Sequence, residues 1–309
     1  MMAIAEAPAK VILTGEHFVV HGAWALAAAV SRRSHVEVSK ADRLHIHSTR
    51  FPGPRRAPLL PAYKVVEAMA REHSFPTGLS VSISSEIPEG AGLGSSASTL
   101  VSVAAAVAKL QGIRLTPDEA ARWSMIGEKE VHGKPSGIDP AICSRGGVLL
   151  FRPGEKPRPV RLDSPRSLLV AYTGVTRSTK RQISRVSAVR EMFPALFAGL
   201  TESAGEISLL AAQKLREGDI KSLGRLLSFN HAVLSTMGVS NASLDRLVDL
   251  FLSLGSYGAK LTGAGGGGSA VAVAPKGKEK SIISGLTARG FDAFKTEIPV
   301  RGVQSWLRR

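Results

Sequence analysis

Cysteine is almost missing from this chain. One thiol, Cys143, stands among 309 residues, which excludes an intrachain disulfide and a cysteine-built zinc site. Aromatic side chains make up 5% of the sequence, and asparagine occurs only at Asn230 and Asn241. Scarce asparagine and glutamine fit a heat-adapted source as a compositional hint. Long apolar runs are missing as well. Nothing approaches the roughly 18 residues of a membrane span, and the apolar stretch 23–30 is short and follows His21. No signal peptide is read at the start, where the chain goes directly into strand-like sequence. The expectation is a cytoplasmic protein with no membrane partner.

What the chain does have is 44% hydrophobic and 21% charged residues, the balance of a globular protein. Its length fits one large domain or two ordinary ones. The net charge is +15, and a basic field of that size suits either nucleic acid or an anionic small molecule. The basic residues are scattered, and their densest clusters, 50–56 and 158–166, carry prolines and read as loops. With so few aromatics, the small-molecule reading is at least as good.

The most informative stretch is Glu86-Ile-Pro-Glu-Gly-Ala-Gly-Leu-Gly-Ser-Ser-Ala-Ser98. A strand pattern over 79–87, with Val81 and Ile83 alternating with Ser82 and Ser84, ends at Pro88. Gly90, Gly92 and Gly94 follow, and Ser95 and Ser96 open an alanine-rich segment, 97–110, with the length of about four helical turns. Strand, glycine loop and helix start form a layout that binds phosphate. Glycines let the backbone come close, and the unpaired N–H groups of the first helical turn point at the anion. The two hydroxyls can add ligands for phosphate or for a magnesium ion riding on it. The spacing is neither a Walker loop, since no lysine follows Gly94, nor a GxGxxG fingerprint. A structural turn is the plain alternative.

Elsewhere, residues 3–14 read as a strand carrying Lys10 and turning at Gly15-Glu16-His17. Residues 35–38 and 44–47 alternate like an antiparallel pair, 51–61 reads as a proline-rich loop, and 62–72 has helical spacing. Thr116-Pro117-Asp118-Glu119 is a capping box. It opens a helix that ends at Gly133 and carries Glu128 and His132 four apart on one face. Residues 134–139 are expected to form a turn, because proline and glycine break helices, and 146–151 a strand. The basic, proline-bearing stretch 153–165 is the expected boundary between domains 1–160 and 161–309. The second half reads as an α+β unit: a strand at 168–173, helices at 180–192, 202–217, 219–236 and 244–254, then a glycine loop 263–268 between strands 259–261 and 269–274. A helix at 278–289 and a closing strand at 293–298 complete it.

Several side chains carry possible chemistry, each with a plainer reading beside it. Asp139, between Gly137-Ile138 and Pro140, has the setting of an Asx-turn residue. Glu128 reads as a solvated helix charge or a metal ligand, and His17 as a local backbone cap. Lys10 is harder to set aside, since a lysine in an apolar strand needs a carboxylate or phosphate partner. Four consecutive glycines, Gly265 to Gly268, lose much backbone entropy unless something approaches closely.

Taken in order, four segments closely resemble the motifs of the GHMP-type small-molecule kinases, and they span residues 7 to 270. They are Lys10-Val-Ile-Leu-Thr-Gly-Glu-His17-Phe-Val-Val-His-Gly22, Pro88-Glu-Gly-Ala-Gly-Leu-Gly-Ser-Ser-Ala97, Gly127-Glu-Lys-Glu-Val-His-Gly-Lys-Pro-Ser-Gly-Ile-Asp139 and Lys260-Leu-Thr-Gly-Ala-Gly-Gly-Gly-Gly268. Within that superfamily, Gly15-Glu16-His17-x-Val19-Val20-x-Gly22 and His132-Gly-x-Pro-Ser-Gly-x-Asp139 are similar to the mevalonate kinase family, where galactokinases would show Glu-His-Thr-Asp after Gly15. Arg177-Ser178-Thr179 resembles that family's substrate-side loop. Ala9, His21 and Ser269 depart from the usual Gly, Tyr and Cys, and none of these removes a group the chemistry needs.

The resemblance implies an α+β, two-domain GHMP kinase fold, with a ribosomal-protein-like N-terminal domain and a ferredoxin-like C-terminal domain. It implies ATP-dependent phosphorylation of the C5 hydroxyl of mevalonate, with Asp139 as base and Lys10 as its electrostatic partner. The loop Pro88, Glu89, Gly90, Ala91, Gly92, Leu93, Gly94, Ser95, Ser96, Ala97 and Ser98 would cradle ATP, and Ser96 with Glu128 would hold Mg²⁺. Glu16, His17, Arg177 and Thr179 would face the substrate. Gly263, Ala264, Gly265 and Gly266 would let the second domain close on the site. A homodimer is common in the family. Phosphomevalonate kinase is the nearest alternative reading, and a basic nucleic-acid-binding protein on the same fold is a remote one, which the retention of Lys10, Glu128 and Asp139 argues against.

Overall fold

The structure is a computed structural model that describes residues 1–51, 57–132, 135–176 and 179–308, the side chains at 131 and 132 excepted. In chain order the first half holds β1 (Met2–Thr14), β2 (Ala25–Lys40), β3 (His45–Ser48), α1 (Leu60–His73), β4 (Leu79–Ser85), α2 (Ser95–Leu110), α3 (Pro117–His132), α4 (Ile138–Arg145), β5 (Val148–Phe151) and β6 (Arg158–Pro159). The second half holds β7 (Arg166–Tyr172), α5 (Thr179–Met192), α6 (Pro194–Glu217), α7 (Ile220–Thr236), α8 (Ala242–Ser253), β8 (Gly258–Thr262), β9 (Ser269–Val273), α9 (Glu279–Thr287), β10 (Asp292–Ile298) and β11 (Gln304–Arg308).

Among the described residues these strands form two sheets. The first runs β11-β1-β2-β4-β3, with β5 also on β2 and β6 on β5. The second, β10-β7-β9-β8, is antiparallel throughout. The chain changes sheets between β6 and β7 and then returns, because β11 pairs antiparallel with β1 from Met2↔Arg308 to Glu6↔Gln304. That last strand was not legible in its sequence, which alternates too little to mark a buried face.

The expected pairing of 35–38 with 44–47 is not formed. Strand β4 lies between them, antiparallel to β2 and parallel to β3. Alternation shows which face of a strand is buried but not which strand lies beside it. The parallel β3/β4 pair requires a crossover, which α1 supplies. The expected turn at 134–139, of which residue 134 lies outside the described residues, does not extend to 138 and 139. Helix α4 begins at Ile138 behind Gly137, so Asp139 lies in its first turn. Pro140 does not prevent this, because in a first turn its missing N–H has no intrahelical partner to lose, and an acidic residue is favoured there by the helix dipole.

The alanine-rich α2 is the central helix of the first half. Its small side chains let it lie against β1 and β2, and Val103, Ala104 and Val107 share a core with Val36, Val81, Met69 and Trp123. Its buried serines are satisfied by backbone: Ser98 Oγ donates to Ala7 O at 2.8 Å and Ser102 Oγ to Ser98 O at 2.9 Å. The capping box that starts α3 is formed, with Glu119 accepting from Thr116 N at 2.7 Å and Glu119 N donating to Thr116 Oγ1 at 3.3 Å. A second core joins the halves, bringing Val11, Leu13, Leu26, Ile87 and Leu93 against Leu168, Val170, Leu215, Leu223 and Val271. The site described below lies where these two halves meet.

The second half contains a contact closer than any side chain permits. A Cβ on Gly258 would stand 1.8 Å from Gly224 O, whereas one on Gly199 in α6 would meet nothing within 4 Å. Gly258→Ala is therefore expected to destabilise the protein by about 2 kcal/mol or more, while Gly199→Ala is neutral or slightly stabilising. Thermal denaturation of the two variants checks this, and equal melting temperatures would show that α7 can move off β8.

Candidate active site

Strand β1 delivers Lys10 into the centre of the molecule. A register shift between Pro8 and Ala9 immediately precedes it, and such bulges turn the following side chain and accommodate proline within a sheet. Beyond Glu6, β11 no longer covers the outer edge of β1. The glycine loop takes over, with Lys10 N donating to Leu93 O at 2.9 Å. The same approach fixes residue 94. Gly94 caps α2 with φ +75°, and a Cβ there would stand 2.7 Å from Lys10 Cγ. The lysine stem crosses where any other side chain would be.

The loop between β4 and α2 has two kinds of residue. Ala91, Leu93, Ala97 and Ser98 are buried in the fold. Glu89, Gly90, Ser95 and Ser96 border a cavity of about 760 Å³, together with Arg50 and Phe51. Arg50 joins the two ends of the loop: one guanidinium nitrogen donates to Ser95 Oγ at 3.0 Å and the other to Ile87 O. A helix N-terminus with a basic side chain beside it is suited to an anion.

Charged groups cluster behind the glycine loop, next to Ser96 and Leu93. Lys10, 2% exposed, stands 3.1 Å from Asp139 Oδ1, and the Asp139 side chain is 31% exposed. The pair therefore has one sealed partner and one open to an incoming group. Next to it Ser96 Oγ donates to Glu128 Oε1 at 2.5 Å. Burial pushes the Glu128 carboxyl up to about 7, aided by the negative charge of Asp139 and opposed by Ser96 and Lys10. Cys143 is buried, and burial with Asp139 nearby raises its thiol well above the usual range, so it offers no thiolate for chemistry.

From the second half, the 263–268 loop reaches the turn that follows β1. Ala264 O is 2.9 Å from His17 Nε2. Backbone demands one glycine of this loop, since a Cβ on Gly265 would lie 2.1 Å from Val239 O, and a side chain crowds another, since a Cβ on Gly266 would lie 2.1 Å from Gln182 Nε2. Gln182 belongs to α5, the helix that Thr179 opens, so this helix packs on the 263–268 loop. Arg177 lies outside the described residues. Glu16 is not open to a ligand: at 1% exposure it is ion-paired with the fully buried Lys260 of β8. Asn230 Oδ1 accepts from Gly15 N at 2.9 Å, and Thr262 Oγ1 stands 2.9 Å from Ile12 N and 3.0 Å from Ile12 O.

Two of these residues are not singled out by the sequence: Lys260 carries the signal that marks Lys10, a lysine in an apolar strand, but only within a motif, and Asn230 has no local mark at all.

The two sheets and the site between them have the organisation of a GHMP kinase. Residues 61–147 match the GHMP kinases N terminal domain and residues 211–292 the GHMP kinases C terminal domain. The mevalonate kinase of Pyrococcus abyssi is 34% identical over 329 residues, which cover 98% of this chain and 97% of its own length. That of Aeropyrum pernix is 34% identical over 314 residues, 97% of each chain. Among solved structures, L. major mevalonate kinase in complex with R-mevalonate superposes with a TM-score of 0.81 at 28% identity, covering 94% of both chains. The chain belongs to the mevalonate kinase family.

The Glu128 carboxyl generates a pH prediction. Its folded value, about 7, lies above the ordinary 4.5, so between those values the folded protein holds more protons than the unfolded chain and its stability falls as pH rises. Glu128→Gln is expected to remove that component. Urea denaturation at pH 5.5 and 7.5 checks this, and equal pH slopes in the two proteins would refute it.

Proposed function

We propose that the protein transfers the γ-phosphoryl group of ATP to the C5 hydroxyl of mevalonate, giving 5-phosphomevalonate for isoprenoid synthesis. The observation that carries this reading is the Lys10–Asp139 pair, sealed on the lysine side, open on the aspartate side, and next to Ser96 and Glu128. Phosphoryl transfer leaves little covalent work to a protein, and positioning and charge stabilisation do most of it. Asp139 accepts the hydroxyl proton as the oxygen bonds to phosphorus and ADP leaves. The Lys10 ammonium, 3.1 Å away, holds the carboxylate in place and attracts the charge that develops on the alcohol oxygen. Backbone N–H groups at the start of α2 face the phosphates, and Arg50 adds a cation at their edge. His17 and Thr179 orient mevalonate, with Arg177 for its carboxylate.

The residues present fit a magnesium ion. Ser96 and Glu128 offer two oxygen donors 2.5 Å apart, and a carboxyl raised by burial gains from a cation beside it. Among the described residues no group of three or more His, Cys, Asp or Glu side chains is placed to hold a metal alone. That suits Mg²⁺, which takes most of its ligands from water and substrate phosphates. When bound it supplies neutralisation of the β- and γ-phosphate charge. On this reading the enzyme is cytoplasmic and homodimeric, and its partners are its two substrates.

A coupled ADP-release assay across mevalonate, phosphomevalonate, homoserine and galactose tests the substrate, and turnover with phosphomevalonate but not mevalonate would overturn the assignment. Asp139→Ala should lower kcat on the order of 100-fold or more while ATP still binds; a near wild-type rate removes Asp139 as the base. Ser96→Ala should shift the magnesium titration to higher concentration, and an unchanged curve counts against the hydroxyl as a ligand.

A further inference from the structure

Lys260 and Glu16 form an ion pair with both partners sealed from solvent, the lysine 0% and the glutamate 1% exposed. The ammonium also donates to Ile12 O at 3.3 Å and to Leu261 O. Stability is a poor reason for such a pair, since desolvation of both charges offsets most of the attraction and apolar side chains of similar volume often serve as well. This one is also incompletely satisfied, for Glu16 Oε2 has no hydrogen-bond partner.

Its geometric effect is clearer. Glu16 sits between Gly15, whose N–H is held by Asn230, and His17, whose ring meets Ala264 O. His17 has φ +63°, a conformation that a side-chain-bearing residue keeps only where its surroundings over-determine it. Lys260 is the charged element of those surroundings and comes from the opposite half of the molecule. The same ammonium reaches Ile12, two residues along β1 from Lys10.

We propose that Lys260 is a positioning residue that, acting through Glu16, holds the His17 loop in the geometry that receives the alcohol substrate. This rests on the mevalonate reading above. Glu16 then works from behind the loop, and the specificity of the site depends on a charge the substrate never touches.

The double variant Glu16→Gln/Lys260→Met removes both charges at nearly constant volume and leaves neither partner uncompensated. Its KM for mevalonate is expected to rise at least about tenfold, as misplacement of a binding group does, while its KM for ATP stays within about twofold. Thermal stabilisation by mevalonate should be lost and that by ATP retained. A folded double variant with wild-type KM for mevalonate overturns the proposal. If the double variant does not fold, Glu16→Asp keeps both charges and draws the carboxylate back by one methylene. A selective rise in the mevalonate KM of that variant supports the proposal, and a wild-type value overturns it. Wild-type protein that fails to phosphorylate mevalonate would instead remove the functional reading, a result seen without any mutation.

Discussion

Strand β1 has an edge that its sheet does not finish, and much of the molecule is arranged to finish it. Each backbone N–H and C=O along that edge needs a partner once it is buried. β11 serves as far as Glu6. Ser98 of α2 then takes Ala7 O, the glycine loop takes Lys10 N, and Thr262 takes both groups of Ile12. Asn230 takes Gly15 N. A helix, the glycine loop and two elements of the second half thus converge on one strand because its hydrogen bonds require them. Lys10 stands at the middle of that line.

Convergence on an edge also explains why the charges sit together. Two lysines and two glutamates, Lys10, Lys260, Glu16 and Glu128, are almost wholly buried here, and Asp139 is partly so. Burial pushes Glu16 and Glu128 up and Lys260 down, and each is kept in place by an opposite charge or a hydroxyl. Charges held in this way are fixed before any ligand arrives.

Much of this was legible in the sequence because the informative signals were local. The glycine loop, the Thr116 capping box and the helical periods of 180–192 and 219–236 each depend on residues a few positions apart. Lys10 announced itself because a lysine among apolar strand residues has few fates. What the sequence did not reveal depends on partners far along the chain. Strand β4 separates β2 from β3, which alternation cannot express. Residues 134–139 read as a turn, yet Ile138 and Asp139 open α4. Glu16 looked like a ligand contact within its motif, but its partner is 244 positions away in Lys260.

The return of β11 has a consequence for how the molecule is made. β1 leaves the ribosome before β11 and before every strand described between them, and the two are neighbours in the same sheet. Until residue 308 has emerged, the first five positions of that edge stay open while the remainder can already be closed by the chain's own loops. A nascent chain therefore carries an exposed strand edge until β11 is made, a template for stray pairing. The short length of β11 and the charge of Arg308 at its end limit what else can add there.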